Sequence, residues 1–404
     1  MPTPALVLFD DEQARLWEPF ALTRPSGELR FGAWRLVERA ERAFALPCIG
    51  HLAAEHLAEF VEPGSRPVLR PQDLPRDRDL VFLCSRAAIG PDERLPPPSD
   101  RVVYTIDGQP AGLALPAGER PGEDFLMRCQ PPNDATGRIE VRGRMLEWVW
   151  DLVIETPDQL ARDLVTAAAG SPATLPAGAY RLGNEPVILG RDVRIEPGVV
   201  FDTRDAPIML GDRVEVRAGT RLAGPAAVGD HSRLLGGSFE AVSAGPYSYL
   251  HGEIAETVTL GHVNKAHDGY LGHAYLGRWV NLGALTTNSD LKNNYKPVRM
   301  WTPLGMRDTG ALKLGSLLGD HAKTGIGLLL STGTLVGAGA NIYGSVMPPR
   351  YVPPFSWGEG DRLGEYRLAE FLETAHTVMA RRGVELDERG RRYLESCWRR
   401  GRGE

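Results

Sequence analysis

The sequence predicts an α/β domain followed by a parallel β-helix and a short helical tail. The β-helix is indicated by two runs of side chains, mostly aliphatic, spaced six residues apart. Six is the period of hexapeptide-repeat solenoids, in which three short strands complete a turn and each places one side chain inside. The two runs are Leu210, Val216, Leu222, Val228 and Leu234, and then Leu318, Thr324, Leu330, Val336 and Ile342.

Glycines support the same repeat. An earlier pair of rungs, Leu189 and Ile195, leads to Phe201 and to a slip of three residues before the main register. A glycine follows many inward positions, and we expect these glycines to form tight corners with unusual dihedral angles. They are Gly190, Gly211, Gly229, Gly277, Gly283, Gly319, Gly325 and Gly337.

Length and composition narrow the class of protein. A chain of 404 residues is long enough for two or three domains. The net charge of −6 and pI near 5.9 lack the basic bias of nucleic-acid binders, so no nucleic-acid partner is expected. Four scattered cysteines without a CxxC spacing, and no secretory leader, predict a cytoplasmic protein.

One uncharged stretch, residues 324–349, has the length of a membrane span. Its glycines, its asparagine and its six-residue period favour a buried solenoid wall instead. We therefore expect no membrane association.

The first domain, residues 1–165, is predicted as alternating α/β. Apolar runs at 5–9, 80–84 and 102–106 predict strands, and the prolines at 96–98 predict a loop. Ser26 is a candidate N-cap for a helix over about 29–43, and Thr156-Pro157 begins a second helix that reaches about Ala169. The Gly/Pro-rich stretch from Gly170 to Pro186 is the predicted linker.

The solenoid domain is predicted over residues 180–357, with a polar insertion between Leu285 and Leu312. Such an insertion must leave the coil as a loop, which is where solenoids carry binding groups. Residues 358–404 are predicted as a helical tail, whose first helix ends at Gly383. The arginines beyond residue 380 favour a solvated helix or a subunit contact over an anion site.

The densest polar cluster is residues 261–273, which contains His262, His267 and His273. An imidazole has an unperturbed pKa near 6.5 and can act as a general base at neutral pH. A second interpretation is a metal site formed by His231, His262 and His267 on adjacent turns. That arrangement would resemble the γ-class carbonic anhydrases, which share this solenoid, and it predicts a metal-dependent hydratase.

A longer pattern supports an acyltransferase. His267 is followed by Tyr270 before Leu-Gly, then by Asn281 before Leu-Gly-Ala, and then by Asn294-Tyr295. This order resembles the acetyltransferase half of the bifunctional (GlmU-like) bacterial enzymes that make UDP-N-acetylglucosamine. The resemblance implies a left-handed coil and a homotrimer.

The same resemblance assigns roles to residues. His267 would take the proton of a sugar amine that attacks acetyl-CoA, the co-substrate. Gly283 and Ala284 would line the acetyl-CoA site. The amino sugar or nucleotide sugar would be held by Tyr270, Asn281, Asn294 and Tyr295.

The pattern departs from the family at the sugar phosphate. The family carries an arginine and a lysine there, and this chain has Leu235 and Ala255. Either the acceptor is not a simple sugar 1-phosphate, or other cations replace the missing pair. The candidate replacements are Lys265, Lys292 and Lys296.

The first domain resembles the nucleotidyltransferase half of the same family, in a branch with a Thr-Arg-Pro motif. The motif is Thr23-Arg24-Pro25, after Leu8-Phe9-Asp10-Asp11 and before Glu28-Leu29-Arg30-Phe31-Gly32. The resemblance implies a nucleotidyltransferase-like, Rossmann-like fold with a degenerate phosphate loop. It also implies Mg²⁺ in this domain and a phosphate contact for Arg24, for which pairing with Glu28 is the alternative.

Together these observations predict a sugar-nucleotide pathway transferase that N-acetylates an amino sugar, with sugar-1-phosphate nucleotidyl transfer as an added activity of the first domain. The alternatives are the metal-dependent hydratase and a non-catalytic trimeric scaffold that binds a sugar nucleotide.

Overall fold

A computed structural model describes residues 2–96, 100–133, 137–168 and 173–403. The chain forms two compact units. Unit 1 comprises Met1–Leu29, Trp34–Val149 and Asp387–Arg400, and unit 2 comprises Arg30–Ala33, Trp150–Leu386 and Gly401–Glu404. Among the described residues, every helix is too short or too polar to cross a membrane.

Unit 1 is built on a six-stranded mixed sheet. Its strands in chain order are β1 (Ala5–Phe9), β2 (Cys48–Leu52), β3 (Leu80–Cys84), β4 (Val102–Ile106), β5 (Gln109–Leu115) and β6 (Gly137–Glu140). They lie in the order β2-β1-β3-β5-β4-β6, with β1 parallel to both β2 and β3. All of β1 and β3 is buried, as expected for uninterrupted apolar runs.

Helices α1 (Leu36–Phe44) and α2 (Glu123–Arg128) belong to this unit. The helix begins seven residues later than predicted, because Ser26–Glu28 forms a 3₁₀ turn and the N-cap residue is Arg35 rather than Ser26. There Glu38 accepts a hydrogen bond from the Arg35 N–H at 2.8 Å, which caps the helix.

After the short segment Arg30–Ala33, unit 2 continues with α3 (Asp151–Ile154) and α4 (Thr156–Ala167). The predicted helix with Pro157 in its first turn is confirmed. Ala169 and linker residues 170–172 lie outside the described residues, as do positions 97–98 of the predicted loop.

The rest of unit 2 is a parallel β-solenoid with three faces, which confirms the predicted fold class. The first face is a nine-stranded sheet. Its strands are Val187–Leu189, Ile208–Leu210, Ala226–Val228, Ser243–Ala244, Val258–Thr259, Tyr275–Leu276, Leu317–Leu318, Leu335–Val336 and Tyr351–Val352.

The second and third faces share two longer strands that turn from one face to the other, Arg233–Glu240 and Tyr249–Ala255. The other strands of the second face are Arg194–Ile195, Glu215–Val216, Asn264–Lys265, Asn281–Leu282, Lys323–Thr324, Asn341–Tyr343 and Ser356–Glu359. Those of the third face are Tyr180–Gly183, Val200–Thr203, Thr220–Ala223, Tyr270–Gly272, Thr287–Asn288 and Leu329–Leu330.

The two runs of side chains spaced six residues apart fill the solenoid core, as predicted. All ten side chains of the two runs are at most 5% exposed. Leu210 pairs with Val228, an 18-residue step, whereas Leu189 pairs with Leu210, a step of 21. The difference is the predicted three-residue slip.

The eight corner glycines are not required by unusual dihedral angles, so the predicted reason for them is wrong. None of the eight glycines has a positive φ, and the left-handed residue often lies two positions later, as at Asp192, Arg213, His231 and Trp279. The glycines are needed for space instead. A Cβ on Gly319 would lie 2.6 Å from the amide nitrogen of Ala338 in the next turn.

The insertion also begins later than predicted. Thr287–Asn288 is still a solenoid strand, because the buried Asn288 amide bonds both backbone groups of Gly272, each at 2.8 Å. The insertion therefore lies between the strands Thr287–Asn288 and Leu317–Leu318, and it contains the hairpin Arg299–Thr302 and Gly305–Asp308.

The predicted tail begins with a strand pair rather than a helix. Ser356–Glu359 and Arg362–Glu365 form an antiparallel hairpin, and α5 (Leu368–Ala380) and α6 (Glu388–Arg402) follow. The chain turns at Gly383, whose φ of +71° favours glycine.

We predict that Gly319→Ala lowers the free energy of unfolding by about 1–3 kcal/mol, because the added methyl group meets backbone atoms that are fixed by the next turn. Gly364→Ala is the control, since its Cβ would make an ordinary 3.7 Å contact, and we expect a change within about 0.5 kcal/mol. Urea denaturation measures both. Equal effects of the two substitutions would contradict the close-approach explanation.

Candidate functional site

One corner of the solenoid, between the second and third faces, brings together several predicted site residues. We define the His267 corner as residues 266–269, 283–286 and 325–328, which lie on three successive turns. The Leu285 N–H donates to the Asp268 carbonyl at 2.9 Å, and the Gly327 N–H donates to the Ala284 carbonyl at 2.7 Å. His267, Gly283 and Ala284 are therefore stacked on neighbouring turns.

The His267 side chain is exposed. Within the described part of the chain, no hydrogen bond or ion pair engages its imidazole. Its backbone carbonyl accepts a hydrogen bond from the Lys265 ammonium. The ring is therefore available to accept a proton from a bound ligand, while its backbone is held in place.

Lys265 supports this corner from within. Its side chain is 1% exposed, and its Nζ also donates to the His251 carbonyl at 3.0 Å. Burial lowers the pKa of Lys265 to about 8. These contacts make Lys265 a structural residue here rather than an open phosphate ligand.

Tyr270 follows the corner and belongs to a hydrogen-bonded network on the third face. Its hydroxyl donates to Asp290 Oδ2 at 2.7 Å, and the same oxygen lies 2.8 Å from His273 Nδ1. His273 Nε2 lies 3.1 Å from Glu256. Burial alone would lower the pKa of His273, but the two carboxylates outweigh it and raise the pKa to about 9. Burial and Asp290 together raise the pKa of Tyr270.

Asn294, Tyr295 and Lys296 lie in the insertion and are exposed, Tyr295 by 70%. Within the described residues, no hydrogen bond or ion pair connects them to the His267 corner. Lys292 Nζ donates to the Pro297 carbonyl at 2.5 Å. Asn294 lines a separate cavity of about 510 Å³ beside the third face.

Asn281 lines a cleft on the second face. Its Oδ1 accepts a hydrogen bond from Asn264 Nδ2 at 2.9 Å. The cleft has a volume of about 480 Å³, and we call it the second-face cleft. Its lining residues are Tyr249, His262, Asn264, Trp279, Val280, Asn281, Lys323, Val378, Arg381 and Arg382. Sequence reasoning did not single out Lys323, and it favoured a solvated helix or a subunit contact over an anion site for the arginines that include Arg381 and Arg382.

The proposed metal ligands do not converge within this chain. His231 and His262 lie at the corner between the first and second faces, where Tyr247 is stacked between their rings with centroid distances of 4.7 Å on each side. His267 lies at another corner. In the described ranges, the group of side chains close enough to share an ion is instead Asp11, Cys84 and Cys129.

In unit 1, Arg24 is buried rather than open to a ligand. Its guanidinium binds Glu62 in a bidentate pair at 2.9 and 3.0 Å. The alternative pairing with Glu28 is therefore wrong. Glu28 lies 2.9 Å from His51 Nε2 and 2.5 Å from the Arg35 guanidinium, and despite burial these partners lower its pKa to about 2.

The residues after β1 do not fit the expected Mg²⁺. Asp11 is bound by the Arg86 guanidinium at 2.7 Å, and Asp10 accepts a hydrogen bond from the Ser26 N–H at 3.1 Å. Burial raises the pKa of Asp10, which disfavours the charged form that a hard cation needs. Trp17 and Phe20 are fully buried in the segment where a phosphate loop would lie.

Comparisons with known proteins cover parts of the chain. Residues 6–171 match the family described as sugar nucleotidyl transferase. A bifunctional sugar-1-phosphate nucleotidylyltransferase/acetyltransferase of Sulfurisphaera tokodaii is 32% identical over 91 residues, which are 22% of this chain. The match spans only 23% of that relative's length. These matches support the predicted broad class, a transferase with a sugar-nucleotidyltransferase-like first domain.

Among solved structures, an Arabidopsis UDP-N-acetylglucosamine acyltransferase is similar over 52% of this chain and 77% of its own. The sequence identity is 14% and the TM-score is 0.22, so no functional argument follows from it.

We predict that Asp290→Asn lowers the pKa of His273 from about 9 toward its ordinary value of 6.5, because one of two stabilising carboxylates is lost. An NMR titration of the histidine ring protons measures this. Asp308→Asn, an exposed change in the same insertion, should leave the His273 pKa unchanged. A wild-type pKa in the Asp290 variant would remove this residue from the network.

Proposed function

We propose that the protein is an acetyl-CoA-dependent N-acetyltransferase of an amino sugar that carries a phosphate or a nucleotide. We propose the His267 corner as the site of this reaction. The observation that carries the proposal is the stacking of this exposed imidazole, without a partner among the described residues, next to the turn that holds Gly283 and Ala284.

The chemistry requires a base because an amine attacks only when it is unprotonated. In the proposed step the amine nitrogen of the sugar attacks the thioester carbonyl carbon, and the His267 imidazole takes the proton of that amine. The new C–N bond forms and the C–S bond breaks. The imidazolium then donates the proton that it took from the amine to the departing thiolate, so that CoA leaves as a thiol and the imidazole is neutral again.

Apolar side chains border the same corner. Leu285 is 60% exposed and Ile326 is 78% exposed, on the two turns next to His267. Exposed aliphatic groups at a corner are suited to contact with another protein surface. They support a homotrimer in which a second copy of the chain covers this corner, since closed cyclic symmetry is the usual solution for identical subunits.

Nucleotidyl transfer in unit 1 is the second candidate. It is favoured by the match of residues 6–171 to the sugar nucleotidyl transferase family. The engagement of Asp10, Asp11 and Arg24 with protein partners weighs against it. Pyrophosphate release from nucleoside triphosphates and sugar 1-phosphates is the assay that tests this activity.

For the acetyltransferase, we predict that thiol release from acetyl-CoA with one of a panel of amino sugars falls by at least ~10²-fold in His267→Ala. The panel contains free, 1-phosphorylated and nucleotide-linked sugars. His376→Ala replaces another exposed histidine, on α5, and should retain wild-type turnover.

Unchanged turnover in His267→Ala would exclude this residue as the base. Binding of a nucleotide sugar without thiol release for any acceptor would support the scaffold alternative. Stoichiometric Zn²⁺ or Fe²⁺ lost in a His262 variant would favour the hydratase.

A further inference from the structure

The second-face cleft has an unusual charge distribution. Its lining includes the cations Lys323, Arg381 and Arg382, and it contains no aspartate or glutamate. In the described part of the chain, none of these three cations forms an ion pair with a carboxylate. Cations gathered without counter-charges repel one another, so an anion in the cleft would relieve this repulsion.

Arg382 is the most constrained of the three. Its guanidinium carbon lies 3.6 Å from the centre of the Tyr249 ring, and its Nη2 lies 3.4 Å from Asn264 Oδ1. Its Nη1 is buried and has no hydrogen-bond partner among the described residues. A buried donor without a partner is costly, and a ligand oxygen would satisfy it.

Lys323 approaches from the solenoid side. Its Nζ donates to the His321 carbonyl at 3.0 Å, which uses one of the three donors of an ammonium group. Burial lowers the pKa of Lys323 to about 8, so the charge is still present at neutral pH. Helix-dipole stabilisation would explain arginines at the end of α5, but it explains neither Lys323 nor the buried Nη1 of Arg382.

We infer that the second-face cleft binds the phosphate group of the substrate, with Arg382, Lys323 and Arg381 as its cations. This inference refines the proposed function, on which it rests for the identity of the ligand. The three cations of the cleft would supply the positive charges that the chain lacks at Leu235 and Ala255. The predicted replacements do not supply them, because Lys265 is engaged inside the coil and Lys292 and Lys296 lie in the insertion.

The position of the cleft agrees with this role. Asn281 lines it and belongs to the two-residue strand that leads directly into Gly283 and Ala284. At a rise of about 3.3 Å per residue, this strand separates the cleft from the His267 corner by roughly 7 Å. A sugar ring bridges a distance of that order.

Isothermal titration calorimetry on the full chain tests the inference. The probes are inorganic pyrophosphate, glucosamine 1-phosphate and UDP. We expect Arg382→Gln and Lys323→Gln each to weaken the Kd of the bound probe by at least ~10-fold, as for a lost charge-assisted hydrogen bond. Arg367→Gln is the control at the other end of α5, where the side chain pairs with Glu370, and its Kd should match wild type.

Tighter binding of glucosamine 1-phosphate than of UDP identifies a sugar-phosphate ligand, and the reverse order identifies a nucleotide-linked one; both support the inference. An unchanged Kd in both cleft variants, or no saturable binding of any probe, overturns it. Arg382→Lys keeps the positive charge at this position and is the control for a folding defect. It should weaken binding less than Arg382→Gln does. Binding of these probes does not require acetyl-CoA. Failure of the phosphate site can therefore be distinguished from failure of the proposed acetyl transfer.

Discussion

The close approach of backbone atoms at the solenoid corners is the constraint on which the rest of unit 2 depends. At Gly283 a Cβ would lie 2.4 Å from the carbonyl oxygen of Gly325 in the next turn, and at Gly337 it would lie 2.3 Å from the nitrogen of Pro354. Corners this close can exchange hydrogen bonds from turn to turn. The same approach stacks Ala284 next to His267, so the packing of the coil also builds the candidate site.

Regular stacking also decides which side chains face outward together. On the second face, Tyr249 pairs with Asn264, Asn264 with Asn281, and Asn281 with Lys323. These residues are 15, 17 and 42 positions apart, and the last step is long because the insertion lies between them. The repeat therefore places these polar residues in one row on the second face. What the row can bind depends on which side chains occupy its positions.

Much of the fold could be predicted from the sequence because a six-residue period has few structural solutions. The six-residue spacing and the three-residue slip agree with the pairing of Leu189, Leu210 and Val228. The structural reason for the glycines was predicted wrongly, because periodicity shows where a small residue recurs but not whether space or a dihedral angle requires it. The start of the insertion was missed because Asn288 occupies a buried rung normally held by an aliphatic residue.

The candidate site was predictable only where it follows the repeat. The turn that holds Gly283 and Ala284 stacks on the His267 turn because both obey the coil. The pairing of Arg24 with Glu62 and the stacking of Arg382 on the Tyr249 ring depend on contacts between distant residues that no local pattern encodes. The pairing of Tyr270 with Asp290 depends likewise on how the insertion leaves the coil.

We propose that the transfer reaction takes place at the His267 corner of the solenoid. Hydrogen–deuterium exchange of the full chain, with and without saturating CoA, tests it most directly. We predict slower exchange in peptides that cover residues 264–269, 281–286 and 323–328. Slower exchange confined to residues 2–149, with the solenoid unaffected, would contradict it.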